Sequence, residues 1–170
     1  MVKQNSATDT QTDRELVITR VFNAPRDLVF RVWTEPKHIE QWWGPKGFTT
    51  RVEAMDLRSG GKWRYVMCGP DGAEYPGSGV FREIVPPERI VTTDAFDEEF
   101  EQVTTIDLPS GAMVVTALFE DLSNQTRLIL RIMHATVDDR RKHEAMGVID
   151  GWNSSFDCLD EYLAAMAEVK

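Results

Sequence analysis

Two polar side chains, His134 and Tyr65, have the chemistry to act on a bound molecule. His134 follows the alternating residues Leu128, Leu130 and Ile132, so it is predicted to lie on the inward face at the end of a strand. An imidazole there can exchange a proton near neutral pH, and a tyrosine hydroxyl can hydrogen bond to a ligand. If the protein is an enzyme, we expect these two residues to be its acid–base pair. The alternative is that His134 is a hydrogen-bonded histidine of the core or of a cavity rim.

Other sequence patterns that carry chemistry are incomplete. His143-Glu144 starts like the helix of a zinc protease, but Gly147 stands where that motif needs its second histidine. Gly77-Ser78-Gly79 has the glycine spacing of neither a nucleophile elbow nor a dinucleotide-binding loop. The histidines lie far apart, and no Cys/His spacing is typical of a metal site. The sequence therefore predicts neither a metal nor a cofactor.

The acidic residues and the cysteines fit ordinary roles. The acidic run from Asp94 to Glu101 lacks the glycine and the ligand order of a calcium loop, so we expect a solvated loop or a frayed strand edge. Cys68 and Cys158 are too few for a disulfide framework. We expect them to be two buried thiols in a reducing compartment.

Aromatic residues are abundant, with five Trp, eight Phe and three Tyr. In the predicted strand 62–68, alternation puts Trp63, Tyr65 and Met67 on one face, and we expect that face to be the concave one. Such a face is interpreted either as the wall of a ligand cavity or as a filled core between sheet and helix. The residues predicted to contact a ligand are Trp43, Phe48, Trp63, Tyr65, Met67, Phe81, Phe119, His134, Met146, Trp152 and Phe156.

One strand, two short helices, six further strands and one long helix are predicted to position these residues. Segments rich in β-formers and separated by turn signals run from residue 48 to 135, which is typical of an antiparallel meander. From Asp138 onward, the apolar spacing predicts one amphipathic helix, which we expect to bury its apolar face on a curved sheet. Gly147 and Gly151 lie inside this predicted helix, where they either leave room for a ligand or allow close packing.

Length and charge restrict the class of protein further. The 170 residues are the length of one domain, and we expect a flexible tail over 1–13 and a single domain over 14–170. A formal net charge of -9 disfavours binding to nucleic acid or to an anionic membrane. The sequence shows no signal peptide and no apolar run long enough to span a bilayer. We therefore expect a cytoplasmic protein and leave open whether it forms a homodimer.

Four motifs, taken in order, resemble one protein family. They are Trp33-Thr34-Glu35-Pro36, Trp42-Trp43-Gly44-Pro45, Gly60-Gly61-Lys62-Trp63 and a closing Gly151-Trp152 with Leu159 and Tyr162-Leu163. With them, the chain is similar to the C-terminal domain of the activator of the Hsp90 ATPase, within the START-like (SRPBCC) group. The resemblance implies an α+β helix-grip fold, in which a curved seven-stranded antiparallel sheet wraps around a long C-terminal helix.

The resemblance also implies an apolar pocket between the sheet and the helix, and it is compatible with three functions. The first is non-enzymatic binding of a hydrophobic or aromatic small molecule, which we favour because no catalytic constellation is complete. The second is an enzyme of the cyclase, dehydratase or hydrolase type that uses the same pocket. The third is an Hsp90-type co-chaperone or stress-response module that binds another protein.

Overall fold

Seven strands form one antiparallel sheet in a computed structural model, which describes residues 12–95 and 111–168. The strands are β1 Glu15–Phe22, β2 Thr49–Met55, β3 Lys62–Cys68, β4 Glu74–Val85, β5 Arg89–Ala95, β6 Met113–Asp121 and β7 Thr126–Met133. Their order across the sheet is β1-β7-β6-β5-β4-β3-β2, so the connection from β1 to β2 joins the two edges. The predicted α+β helix-grip architecture with a curved seven-stranded antiparallel sheet is confirmed.

The described residues also form four α-helices. These are α1 Arg26–Thr34, α2 Pro36–Trp42, α3 Val137–Ala145 and α4 Val148–Glu168. Pro36 begins α2, where the N–H that proline lacks would have no partner in the helix. The hydroxyl of Thr136 caps α3 by accepting a hydrogen bond from the backbone N–H of Asp139 at 3.0 Å. Local sequence signals thus account for where these two helices begin.

The prediction of one long helix from Asp138 onward is wrong, because the chain forms two helices, α3 and α4, that are separated by Met146 and Gly147. Gly147 has a φ of +85°, which lies in the left-handed region that favours glycine and cannot continue a right-handed helix. Gly147 therefore lies between the helices, whereas Gly151 lies inside α4 as predicted. The apolar stripe predicted for the long helix belongs to α4.

The inward face of the sheet and one face of α4 form the hydrophobic core. Leu128 and Leu130 alternate along β7 and are fully buried, as the period of a strand predicts. On α4, Phe156, Leu159 and Leu163 are buried in the same cluster. These contacts hold the C-terminal half of α4 against the sheet.

The indole of Trp33, from α1, lies between α4 and the sheet. It stacks on Trp152 of α4 with ring centroids 6.0 Å apart, and it meets Phe119 of β6 edge-on at 5.7 Å. Its neighbour Trp42 is also buried and donates a hydrogen bond from Nε1 to the carbonyl of Val32 at 2.9 Å. These aromatic rings set the separation between the helix and the sheet.

Two predicted segments lie largely outside the described residues. Of the predicted tail 1–13, only Thr12 and Asp13 are described, and they form a short 3-10 turn with Arg14. Residues 96–101 of the predicted acidic loop also lie outside the described residues. Asp94, the first residue of that run, lies in β5 with its Oδ1 buried, so the expectation that it is solvated is wrong. The alternation of the strand, in which Ile90 is buried, turns Asp94 inward.

Alanine substitutions at two glycines test the break between α3 and α4. G151A should raise the free energy of unfolding by about 1 kcal/mol, because alanine favours a helix and its methyl group would meet no atom within 4 Å. G147A should lower it by about 1 kcal/mol, because a left-handed backbone is strained for alanine even in open space. Urea unfolding followed by circular dichroism measures both changes. A stabilising G147A would contradict the break.

Candidate functional site

A cavity of about 280 Å³ lies between the sheet and the N-terminal half of α4. Its volume is near the lower end of the range of about 300–1,000 Å³ that is typical of small-molecule sites. The side chains around it include the apolar Trp43, Met67, Met113, Val115, Ile132, Met146, Val148 and Trp152 and the polar Tyr65, Ser78, Asp94, His143 and Ser155. A mostly apolar wall with a few polar groups is the usual composition of a ligand site.

Glycines lie on both sides of this cavity, where Gly77 leaves room for the ring of Tyr65 and Gly151 leaves open space. In β4, a methyl group on Gly77 would overlap the ring of Tyr65, which pairs with it from β3. On α4, Gly151 lines the cavity, and a methyl group there would meet nothing within 4 Å. Of the two interpretations of Gly151, room for a ligand therefore fits this geometry, and close helix–sheet packing does not.

A smaller chamber of about 70 Å³ adjoins the cavity, deeper between the sheet and the aromatic rings. Trp63, Phe81 and Leu130 are among the residues that line this chamber alone. The residues that line both spaces are Trp43, Tyr65, Asp94, Val115 and Trp152. The two spaces therefore share a wall, which is mainly aromatic.

The indole of Trp43 organises that shared wall. Its ring centroid lies 5.2 Å from Trp63, 5.6 Å from Tyr65 and 5.2 Å from Trp152, and each contact is edge-on. Its backbone carbonyl accepts a hydrogen bond from Oγ1 of Thr50 at 2.6 Å. Because edge-to-face packing restricts both ring planes, Trp43 presents a rigid apolar surface to the cavity.

Seven of the eleven residues predicted to contact a ligand line one of the two spaces: Trp43, Trp63, Tyr65, Met67, Phe81, Met146 and Trp152. The other four lie elsewhere. Phe48 packs on Tyr75 with ring centroids 6.0 Å apart. Phe119 and Phe156 face inward as expected, but they are buried against Trp33 in the filled part of the core. His134 is the fourth.

His134 is 1% exposed and is held by hydrogen bonds away from the cavity wall. A carbonyl can only accept, so Nδ1 of His134 donates to the carbonyl of Arg14 at 2.8 Å. Its Nε2 then accepts from Nδ1 of His143 at 2.9 Å. His143 lines the cavity and His134 does not. His134 and Tyr65 therefore do not meet at one point, and the predicted acid–base pair is not assembled.

Burial keeps both imidazoles neutral at neutral pH. It lowers the pKa of His134 below its ordinary value. Burial, together with the neighbouring His134 ring, lowers the pKa of His143 to about 4. The pair is thus uncharged, with His143 in the cavity wall and His134 behind it. Sequence reasoning did not place His143 there, because His143 lies on α3 and its contact with His134, just after β7, is not visible in the period of either element.

Asp94 is the cavity residue that sequence reasoning missed. It lines both spaces, and its Oδ1 is buried with no hydrogen-bond partner among the described residues. Burial raises the pKa of this carboxyl to about 7, although a hydrogen bond with the side chain of Thr92 acts in the opposite direction. The signal that could have found it is the alternation of Ile90, Thr92 and Asp94 within one strand.

Metal clusters, disulfides and membrane-spanning helices do not occur within residues 12–95 and 111–168. No three His, Cys, Asp or Glu side chains there are grouped so that they could hold a metal ion. Cys68 and Cys158 are free, as predicted, but they are half-buried rather than buried. None of the helices in this part of the chain combines the length and the apolar character needed to cross a membrane.

Replacing the buried carboxyl tests its environment. Because the pKa of Asp94 is raised, the folded protein holds a proton that the unfolded chain releases between pH 3.8 and about pH 7. Stability is therefore lost as the pH rises through this window. D94N should stabilise the protein by on the order of 2 kcal/mol at pH 8 and by much less at pH 5. Thermal unfolding at the two pH values measures the difference.

Asp27 supplies the matched control for this experiment, because its side chain is exposed and water already solvates its carboxylate. D27N changes the net charge of the chain by the same amount as D94N. The difference between the two variants therefore isolates the effect of burial. Equal stabilisation by D94N at both pH values would contradict a raised pKa at Asp94.

Solved structures of bacterial proteins share this fold over nearly the whole chain. A protein of Nitrosomonas europaea is 29% identical, with a TM-score of 0.78, and the match covers 94% of this chain and 99% of that chain. A protein of Arthrobacter aurescens is 27% identical, with a TM-score of 0.81 and coverage of 94% and 91%. A protein of Mycobacterium smegmatis is 29% identical, with a TM-score of 0.77 and coverage of 94% and 96%. Comparison with curated proteins gave no match.

The family described as Activator of Hsp90 ATPase homolog 1-like protein matches residues 23–164. This range contains strands β2 to β7 and every described residue that lines the cavity or the adjoining chamber. The motifs that carry the resemblance also lie within residues 23–164. The chain therefore belongs to the Activator of Hsp90 ATPase homolog 1-like protein family, with the START-like helix-grip fold.

Proposed function

We propose that the protein binds a small hydrophobic or aromatic molecule in the cavity between its sheet and α4. The observation that carries this proposal is an open space of about 280 Å³ whose wall is mostly apolar and aromatic. Proteins with the fold of this family commonly bind ligands, which supports the same conclusion. The ligand would pack against Trp43 and Trp152, which are held edge-on to each other at 5.2 Å.

The charges around the cavity favour an uncharged ligand. No lysine or arginine is among the described residues that line the cavity or the adjoining chamber. The chain carries a formal net charge of -9, and Asp94 places an acidic group in the wall itself. An anionic ligand would therefore enter an acidic protein and find no counter-charge to offset its desolvation.

Neither alternative function has a specific geometry in its favour. An enzyme that used His134 and Tyr65 would need both groups in the cavity, but of these two residues only Tyr65 lines it. The described surface offers no feature that we assign to a chaperone partner. The cytoplasmic location and a role in the stress response stay predictions from the sequence and the resemblance.

Native mass spectrometry of the freshly purified protein tests the proposal directly. We expect one noncovalent molecule per chain, neutral and apolar, that denaturation releases. A thermal-shift screen with neutral aromatic compounds extends the test to protein that has lost its ligand during purification. Protein that is free of ligand and shows no thermal shift with any compound of the library would count against binding in this cavity.

A leucine at position 151 should close the cavity without unfolding the protein. A side chain introduced at position 151 would point into open space next to α4. Leucine also has a higher helix propensity than glycine. We use 2-methylnaphthalene as the probe and follow its binding by 1H–15N NMR. G151L should weaken binding by about tenfold or more, because the new side chain and the probe compete for the same volume.

The matched control for G151L is A165L, since Ala165 lies on the same helix but is exposed. It adds a leucine of the same size where no ligand is proposed to bind. We expect its affinity for 2-methylnaphthalene to equal that of the unmodified protein. Equal affinities of G151L and A165L would show that the probe binds somewhere other than the cavity.

A further inference from the structure

A serine of α4 contributes a hydroxyl group to the wall of the cavity. Ser155 is 5% exposed and lines the cavity, but it does not line the adjoining chamber. It follows Gly151 by four residues, so the two residues lie on the same face of the helix, one turn apart. The hydroxyl therefore belongs to the part of α4 that borders the open space.

Gly151 leaves open the space beside this hydroxyl. Side chains of an α-helix lean toward the N-terminus of the helix, so the side chain of Ser155 leans over the turn that contains Gly151. A methyl group on Gly151 would meet no atom within 4 Å, and Gly151 lines the cavity together with Ser155. A ligand that fills this space therefore lies against Ser155.

The Ser155 hydroxyl makes no hydrogen bond within residues 12–95 and 111–168. Its neighbour Ser154 accepts one from the backbone N–H of Lys46 at 2.9 Å. A hydroxyl inside a helix often donates to the carbonyl four residues earlier, as Thr34 does to Phe30 at 2.9 Å, but Ser155 does not. A hydroxyl that is buried without a partner has lost its hydration with nothing to offset the loss. Ser155 is thus placed to pair with a polar group of the molecule in the cavity.

The group that pairs best with this hydroxyl is a neutral hydrogen-bond acceptor. Buried donors without a partner are rarer in proteins than oxygens with a spare lone pair, so the proton of the Ser155 hydroxyl sets the requirement. A ketone or ester carbonyl accepts that proton and brings no donor of its own into an apolar site. A ligand hydroxyl would bring a second proton, which needs a further acceptor.

We propose that Ser155 binds a carbonyl oxygen of the ligand, which is therefore a neutral, apolar carbonyl compound such as a ketone or an ester. The apolar body of this molecule occupies the rest of the cavity against Trp43 and Trp152, which line it. This inference rests on the proposed function and narrows the class of its ligand from any apolar molecule to one that carries a carbonyl group.

Charged groups fit this position less well. A carboxylate would accept from Ser155, but no lysine or arginine among the described residues lines the cavity, and Asp94 lies in the same wall. An ammonium group would donate to the oxygen of Ser155 and leave the proton of that hydroxyl unpaired. A neutral carbonyl group avoids both costs.

The test compares 2-acetylnaphthalene with 2-isopropenylnaphthalene, which have the same shape and differ by a carbonyl oxygen in place of a CH2 group. Both are titrated into the full chain and into S155A, and binding is followed by 1H–15N NMR. S155A removes one oxygen and alanine favours a helix, so this variant should fold. We expect S155A to bind the ketone about five- to tenfold more weakly, as the loss of one buried hydrogen bond predicts, and to bind the hydrocarbon with nearly unchanged affinity.

Two other serines supply the controls for S155A. S154A is the matched control, because Ser154 is the next residue on α4 and is not among the residues that line the cavity. S78A removes a second serine hydroxyl that lines the cavity. Both variants should keep the ratio of ketone to hydrocarbon affinity that S155A loses. The infrared band of a 13C-labelled carbonyl in bound 2-acetylnaphthalene should also lie at lower frequency in the unmodified protein and in S154A than in S155A, because a hydrogen bond weakens the C=O bond.

The two probes separate failure of this inference from failure of the proposed function. A ratio of affinities that S155A leaves unchanged, or that falls as far in S154A or S78A, would overturn the carbonyl site while the cavity stands as a binding site. A Ser155 hydroxyl that holds only a water molecule would give the first of these results. If neither probe binds, both the carbonyl site and the proposed function are wrong.

Discussion

The cavity depends on one packing interaction, the insertion of the Trp33 indole between α4 and the sheet. The ring stacks in parallel on Trp152 at 6.0 Å and meets Phe119 edge-on at 5.7 Å, so the helix and the strand cannot close on each other. The helix that carries Trp33 is itself fixed by Trp42, whose Nε1 donates to the backbone carbonyl of Val32. Because aromatic rings are rigid, this insertion sets a separation that small side chains farther along α4 cannot fill.

The two halves of α4 use that separation differently. Toward the C-terminus, Phe156, Leu159 and Leu163 fill the space and are buried, so this half contributes the apolar burial that stabilises the fold. Toward the N-terminus, Gly151 and Ser155 leave the space open and line the cavity. One half of this helix thus contributes to stability, and the other half borders an open cavity. Gly147, which interrupts the helical conformation before α4, allows this helix to begin at the edge of the cavity.

Strand periodicity predicted the sheet and its inward residues, because a period of two is visible within a single segment. It did not predict the break at Gly147, because a glycine in a helical pattern is compatible both with a continuous helix and with a left-handed helix end, which Gly147 adopts with a φ of +85°. Nor could it separate Trp43, on the cavity wall, from Phe156, in the filled core, because both face inward and only the neighbouring rings distinguish them. Sequence reasoning missed Asp94, because the acidic residues that follow it indicate a solvated segment, whereas the alternation within its own strand indicates an inward position.

A core made only of apolar side chains would not contain the carboxyl of Asp94, whose Oδ1 is buried without a hydrogen-bond partner among the described residues. Its pKa is raised to about 7, so the folded chain carries the cost of a poorly solvated acid near neutral pH. The indole N–H of Trp63 is buried without a partner as well, and Gly79 gives up a side chain within a strand. Each of these features lowers stability, and they lie in one row across three strands, β3, β4 and β5. Packing explains Gly79, because a methyl group there would overlap Oδ1 of Asp94, but it does not explain the two buried polar atoms without partners.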